Sequence, residues 1–369
     1  MKNYLNVEEG KNSWKRYVST TILASVFMLL GSIIYIIAEI IMVAADESGK
    51  SYFDFDSGVA VGINANLDFL LSHIMYICWI FGLWIGIRFI HKRKMKSLIT
   101  ANKRVNWKKV IWSFGTFSLL LIISQLIDVV FNHSDYSWNH VSVKEYVLLI
   151  LITFLLVPIQ TTTEELFFRG LLLQWVSKKV KRPILLAIIV GLMFSIGHFA
   201  NPEMNKSIIL VGLDYIVAGF ALTYIAIKTK SLEITIGAHA ANNMFLALFL
   251  TTDDSVFGSI PSLFKVADTE PGANLIWSIV MFSVFYILCR GKIKRKKQLT
   301  KISLLLKLAD PITKQDRRCN RVSGNHDENK PLTRAEMKRG HLATQHRILN
   351  VLIVLASIAA VYLVIKTIF

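Results

Sequence analysis

In the stretch QTTTEELFFRGLLLQW, residues 160–175, two adjacent carboxylates and a guanidinium stand in otherwise apolar sequence. Glu165 and Arg169 are four residues apart, so on a helix they share a face and can form an ion pair. Glu164 points about 100° away from its neighbour. Two carboxylates in different surroundings can hold different pKa values, which is what acid-base chemistry needs. The same three residues would also serve as a buried polar lock between helices, and the triplet alone leaves both readings open. Two further motifs bring imidazoles. His198 in LMFSIGHFAN ends a stripe of small residues, Ala187, Gly191 and Ser195. In GAHAANNMF, His239 lies four residues before Asn243, with small residues around it. Each motif sets a proton carrier or hydrogen-bond donor where small residues let helix backbones approach closely, although a lone His on an apolar face is commonly a satisfied core residue.

These residues must be positioned by elements of unusual composition. The chain is 53% hydrophobic over 369 residues, with a mean hydropathy of +0.48. A membrane span needs about 20 apolar residues. Nine such stretches lie near 17–45, 67–90, 109–131, 146–175, 183–200, 207–227, 231–251, 274–289 and 349–368. The expected fold is an all-α, polytopic transmembrane helical bundle of about eight spans plus one C-terminal span. The net charge of +17 is not spread evenly. Lysines and arginines fill alternate loops, such as Lys92–Lys96 and Lys178–Arg182, whereas Asp46, Glu47, Asp253 and Asp254 occupy the intervening ones. That alternation is the positive-inside pattern and places the N-terminus in the cytoplasm of a multi-pass cell-membrane protein. Residues 290–347 hold 17 Lys or Arg against five Asp or Glu. This run reads as a tail attracted to an anionic leaflet rather than as a nucleic-acid site. The cysteines, Cys78, Cys289 and Cys319, have no pair spacing, which argues against a disulfide framework and a thiolate metal site.

Ionisable groups within a bilayer are costly and need a reason. Besides the motifs, the spans hold Glu39, Asp128, Asp214 and His73. Measured from the nearest basic residue at 1.5 Å per residue, Glu164, His198 and Asn243 lie about 20–24 Å deep, with His239 one turn shallower. Residues on three separate spans therefore meet in one layer. Pro158, with Gln160 and three threonines, is expected to break or kink the fourth span just before the glutamates.

EELFFRG, FSIGH and HAANN match the EExxxR, FxxxH and HxxxN motifs of the CPBP family, the CAAX proteases and bacteriocin-processing enzymes, also called Abi. The chain resembles that family over roughly residues 143–250. The division that follows is N-terminal transmembrane helices at 1–142, a CPBP-like catalytic core at 143–250, a further helix at 251–289, a basic cytoplasmic segment at 290–348 and a C-terminal helix at 349–369. The resemblance implies an intramembrane endopeptidase acting on a peptide or protein in or at the membrane, with lipids as its other partner and no nucleic acid. It implies Glu164 as general base, His198 holding the water, His239 and Asn243 as oxyanion donors, and Glu165 and Arg169 behind them. Members of the family have been described both as metalloproteases and as metal-free glutamate proteases. If zinc were bound, Glu164, His198 and His239 would be its ligands. Asn243 suits an oxyanion hole better than a zinc shell, which favours the glutamate-type mechanism, for which no cofactor is needed, over the zinc alternative. A non-catalytic membrane scaffold or bacteriocin-immunity factor is one competing reading; a secondary transporter is another, although no repeat symmetry supports it.

Overall fold

The apolar runs form helices because in a bilayer the backbone must satisfy its own hydrogen bonds. The computed structural model describes residues 4–54, 59–252, 260–267 and 270–291. In chain order the helices are α1 (Trp14–Ala44), α2 (Ala65–Ile85, continued by a π turn, Gly86–Ile90), α3 (Lys96–Ile99), α4 (Trp107–Phe131), α5 (Val143–Glu164, continued by a π stretch, Glu165–Leu172), α6 (Leu173–Val176), α7 (Pro183–Ile196), α8 (Ile208–Thr229), α9 (Glu233–Phe249) and α10 (Pro271–Gly291). Six of them, counting α2 and α5 with their continuations, are long and apolar enough to cross a membrane. The protein is a polytopic helical bundle. The shorter α7 and α9 stand where two further spans were expected. The expected span at 349–368 and the basic segment at 290–348 lie outside the described residues, apart from the last turn of α10.

α1 packs along α2, α4 along α9 and α7 along α8, while α5 lies against both α2 and α9. Because successive spans alternate in direction, all five short strands fall at one end. β1 (Tyr52–Asp54) and β2 (Val59–Val61) form an antiparallel hairpin. β3 (Tyr136–Trp138) pairs antiparallel with β5 (Phe264–Val266), which pairs parallel with β4 (Leu250–Thr251). The opposite, basic end carries the lysine-rich loops. There Glu233, fully buried, accepts from Lys109, Ser231 and the Asn106 backbone.

Three helix pairs approach closely enough to require glycine: α1 with α2 at Gly31, α7 with α8, and α4 with α9. A Cβ on Gly191 of α7 would stand 2.7 Å from the Phe220 backbone nitrogen of α8, and one on Gly219 would stand 2.7 Å from the Gly191 carbonyl. A Cβ on Gly237 of α9 would collide with Ser113 Oγ of α4. The core around α5 is built from aromatic rings: Trp79, Phe167, Phe168 and Phe194 contact one another in sequence.

α5 departs from the expected break at Pro158. The helix runs through the proline, and Thr161 and Thr163 add side-chain hydrogen bonds to the Val157 and Ile159 carbonyls. The irregularity comes one turn later, as the π stretch. Pro158 lines an apolar groove of about 450 Å³ with Trp107, Phe114, Gly237 and Ala240, not a polar cavity.

Candidate active site

The two glutamates sit where α5 widens. Glu164 is the last α-helical residue and Glu165 the first of the π stretch. A wider turn changes the angular step between neighbours, and both carboxylates reach the same imidazole. Glu165 Oε1 lies 3.0 Å from His239 Nδ1, and Glu164 Oε2 lies 3.6 Å from His239 Nε2. The sequence reading placed the glutamates on separate faces; the structure sets them on the two nitrogens of one ring. What separates them is Arg169. Its Nη1 donates to Glu165 Oε1 at 3.0 Å, and both partners are fully buried. The guanidinium also donates to Thr223 Oγ1 at 3.3 Å and to the Gly219 carbonyl at 3.4 Å, and lies 4.1 Å from the centre of the Phe194 ring.

This network fixes a tautomer. An ionised carboxylate only accepts, so Nδ1 of His239 carries the hydrogen given to Glu165, and in the neutral ring Nε2 is an acceptor. Glu164 Oε2 accepts no hydrogen bond and is buried. Its 3.6 Å separation from Nε2 is too long for a direct bond and suits one bridging water.

His198 arrives from another direction. α7 has 14 residues, about 21 Å of rise, which is short of a bilayer core. His198 therefore sits on a non-helical turn at membrane depth, where backbone is tolerated only when it is buried or lines a wet cavity. Its Nδ1 lies 3.0 Å from the Phe194 carbonyl and its ring stacks on Tyr215 at 4.4 Å. The Tyr215 hydroxyl accepts from Asn201 at 2.9 Å. The link between the two imidazoles is Phe194, whose ring is 4.4 Å from His198 and 6.1 Å from His239. Asn243 lies one turn along α9 from His239, toward the strand end, and its Oδ1 accepts from Asn242 at 3.2 Å.

Thus Glu164, Glu165, Arg169 and His239 form one contact network, with His198 joined to it through Phe194 and Asn243 on the adjoining turn. Three of the remaining ionisable residues of the spans lie elsewhere. Glu39 accepts from the Ala60 backbone in the hairpin, Asp128 from Tyr136 and Asn132, and Asp214 faces Ser278 of α10. Among the described residues, no three His, Cys, Asp or Glu side chains are gathered closely enough to hold a metal. His239 has Nδ1 committed to Glu165, and His198 is turned to Phe194 and Tyr215, so Glu164, His198 and His239 do not fit a shared zinc ion in this arrangement.

A family model described as type II CAAX prenyl endopeptidase Rce1-like matches residues 143–245, the segment that supplies all six of these residues. The chain is also 40% identical over 285 residues to the uncharacterized protein YyaK of Bacillus subtilis (strain 168), covering 77% of this chain and 94% of that protein. The chain belongs to the Rce1-like, CPBP family. The family is one of CAAX-type intramembrane proteases, which at that level makes this member a peptidase and a multi-pass membrane protein.

Several of this member's site residues carry weak or no sequence signals. Phe194 is the first residue of FSIGH, and Gly219 belongs to a small-residue pattern with Gly212. Thr223 and Tyr215 have no motif. Tyr4 has none either. It is 165 residues from its partner, donates its hydroxyl to the Arg169 carbonyl at 3.3 Å and is almost wholly buried against the basic end of the site.

Proposed function

We propose that the protein is an intramembrane endopeptidase of the cell membrane, with its N-terminus in the cytoplasm, and that it hydrolyses a peptide bond of a membrane-associated protein or peptide without a metal. The observation that carries this reading is the pairing of Glu164 Oε2, buried and unbonded, with His239 Nε2 across 3.6 Å, while Glu165 and Arg169 clamp the far side of the ring. A water between them gives one hydrogen to Glu164 and the other to Nε2, which leaves its lone pairs for a substrate carbonyl. Glu164 takes the proton as the carbon–oxygen bond forms and passes it to the departing amine as the carbon–nitrogen bond breaks. Asn243 has its oxygen engaged by Asn242, so its NH₂ is the group positioned to donate to the oxyanion.

In this reading one role differs from that implied by the motifs. His239, beside Glu164, holds the water. His198 gives its Nδ1 hydrogen to the Phe194 carbonyl, which leaves Nε2 of the neutral ring an acceptor facing the site. Glu165 and Arg169 act through His239 by fixing its tautomer and orientation.

The test compares membrane and secreted peptides from strains carrying the wild type or Glu164→Gln. Loss of a general base lowers turnover by about 10²–10⁴-fold, so fragments dependent on this enzyme should vanish in the variant. Fragments that persist unchanged would sink the assignment and favour a scaffold.

A further inference from the structure

Hydrolysis consumes one water per turnover, and Glu164 lies deep in an apolar bundle. The basic end is closed beneath it. Tyr4 is docked on the Arg169 carbonyl, and Leu98, Leu171 and Leu173 are packed there without exposure. Toward the strand end the surroundings are different. Gln160, one turn before Glu164 on α5, donates from Nε2 to the Tyr76 hydroxyl of α2 at 3.2 Å, and its side chain also lies within polar reach of Glu164 and His73. Its Oε1 is buried and makes no hydrogen bond. His73, one turn further toward the strand end on α2, is 2% exposed, with its ring 6.0 Å from that of Tyr76. Nδ1 of His73 donates to the Phe69 carbonyl at 2.6 Å, so Nε2 is an acceptor, and it too is buried and unbonded.

Three buried polar atoms with no direct hydrogen bond among the described residues, on Glu164, Gln160 and His73, therefore stand on successive turns of α2 and α5. Burying an unbonded acceptor costs about 1–3 kcal/mol; the Gln160 NH₂, with one hydrogen given to Tyr76, has one left for Glu164 or His73, so among the described residues this amide cannot serve all three acceptors. A substrate chain cannot be the remaining partner at His73, which is enclosed by Phe69 and Tyr76. Water can.

We propose that His73, Gln160 and Tyr76 line a water file running from the strand end of the bundle to Glu164, which supplies the nucleophile while the basic end stays shut. This rests on the peptidase reading for its purpose, not for its existence. The three are positioning residues. They hold the water that Glu164 draws on and do not touch the scissile bond. The competing route is the non-helical turn at His198, which is half-exposed.

The test is X-ray radiolytic labelling in ¹⁸O water on the full chain in lipid nanodiscs, which reports side chains beside bound water and needs no substrate. In the wild type Tyr76 should take up label and Tyr4 should not. His73→Phe and Gln160→Leu should reduce Tyr76 labelling to the level of Tyr4, with Tyr215 unchanged, and His73→Gln should restore it. Equal labelling of Tyr76 in wild type and both variants, or none in the wild type, overturns the file and leaves the turn at His198 as the route. If His73→Phe does not fold, Gln160→Leu alone decides. With a cleaved substrate in hand, Gln160→Leu should lower kcat with KM unchanged. Labelled Tyr76 together with fragments insensitive to Glu164→Gln would refute the peptidase reading alone; cleavage with a dry Tyr76 would refute this one alone.

Discussion

Arg169→Met deletes a buried charge while keeping most of the side-chain volume. The guanidinium has an ionic bond to Glu165, two weaker bonds to Thr223 and Gly219, and the face of Phe194 at 4.1 Å. Breaking one side of a buried ion pair costs about 3–5 kcal/mol, because the surviving charge is left uncompensated. A desolvated cation–π contact contributes about 2 kcal/mol, whereas hydrogen bonds between membrane helices average only about 0.6 kcal/mol. These overlap, since all end when the one charge is lost, and the expected cost is about 4 kcal/mol, dominated by the stranded Glu165. Glu165→Gln alone strands Arg169 and should cost a similar amount. The double variant strands neither, so it should recover about 2 kcal/mol relative to the sum of the single changes. Reversible unfolding in mixed SDS and dodecylmaltoside micelles, followed by tryptophan fluorescence, measures all three. Activity should not recover with stability, because His239 loses the ionised partner that fixes its tautomer. An Arg169→Met protein within about 1 kcal/mol of wild type, or strict additivity of the two changes, would refute the clamp.

Other outcomes follow from the same geometry. Gly191→Ala should push α8 off α7 and cost about 1–3 kcal/mol in the same assay, with activity falling as Phe194 and His198 shift; Gly197→Ala, whose nearest neighbour is 3.5 Å away, should be tolerated. Chelators should leave cleavage intact and metal analysis should find far less than one ion per chain; loss on chelation with recovery on zinc would contradict the metal-free proposal. His91 at the basic end is fully buried, and burial reinforced by the Arg93 charge pushes its imidazole down to about 4. The unfolded chain then takes up a proton that the folded chain refuses, so stability should be full above about pH 6.5 and decline as pH falls toward 4. His91→Gln should flatten that profile.

How much could be read beforehand depended on whether a feature is local. The spans were legible because bilayer thickness demands long apolar runs, and the Glu165–Arg169 contact because i, i+4 neighbours share a helix face. The close approach of α7 and α8 was foreshadowed by Gly191 and Gly219. The π stretch was not legible. It begins at Glu165, and both glutamates reach one imidazole, which the helical step between neighbours did not announce. Pro158 misled for a related reason: a proline inside a membrane helix need not end it, and α5 continues through this one. Tyr4 and Tyr215 were invisible because their roles depend on partners far away in sequence or on a turn whose geometry the spacing does not set.

Tyr4 is synthesised 165 residues before Arg169, and its seat exists only after α5 has been inserted. The floor beneath the glutamates is thus closed by a segment made well before the helix it seals, so copies halted before α5 would keep that end open. A bulky fusion placed just before Tyr4 would be expected to hold it open permanently.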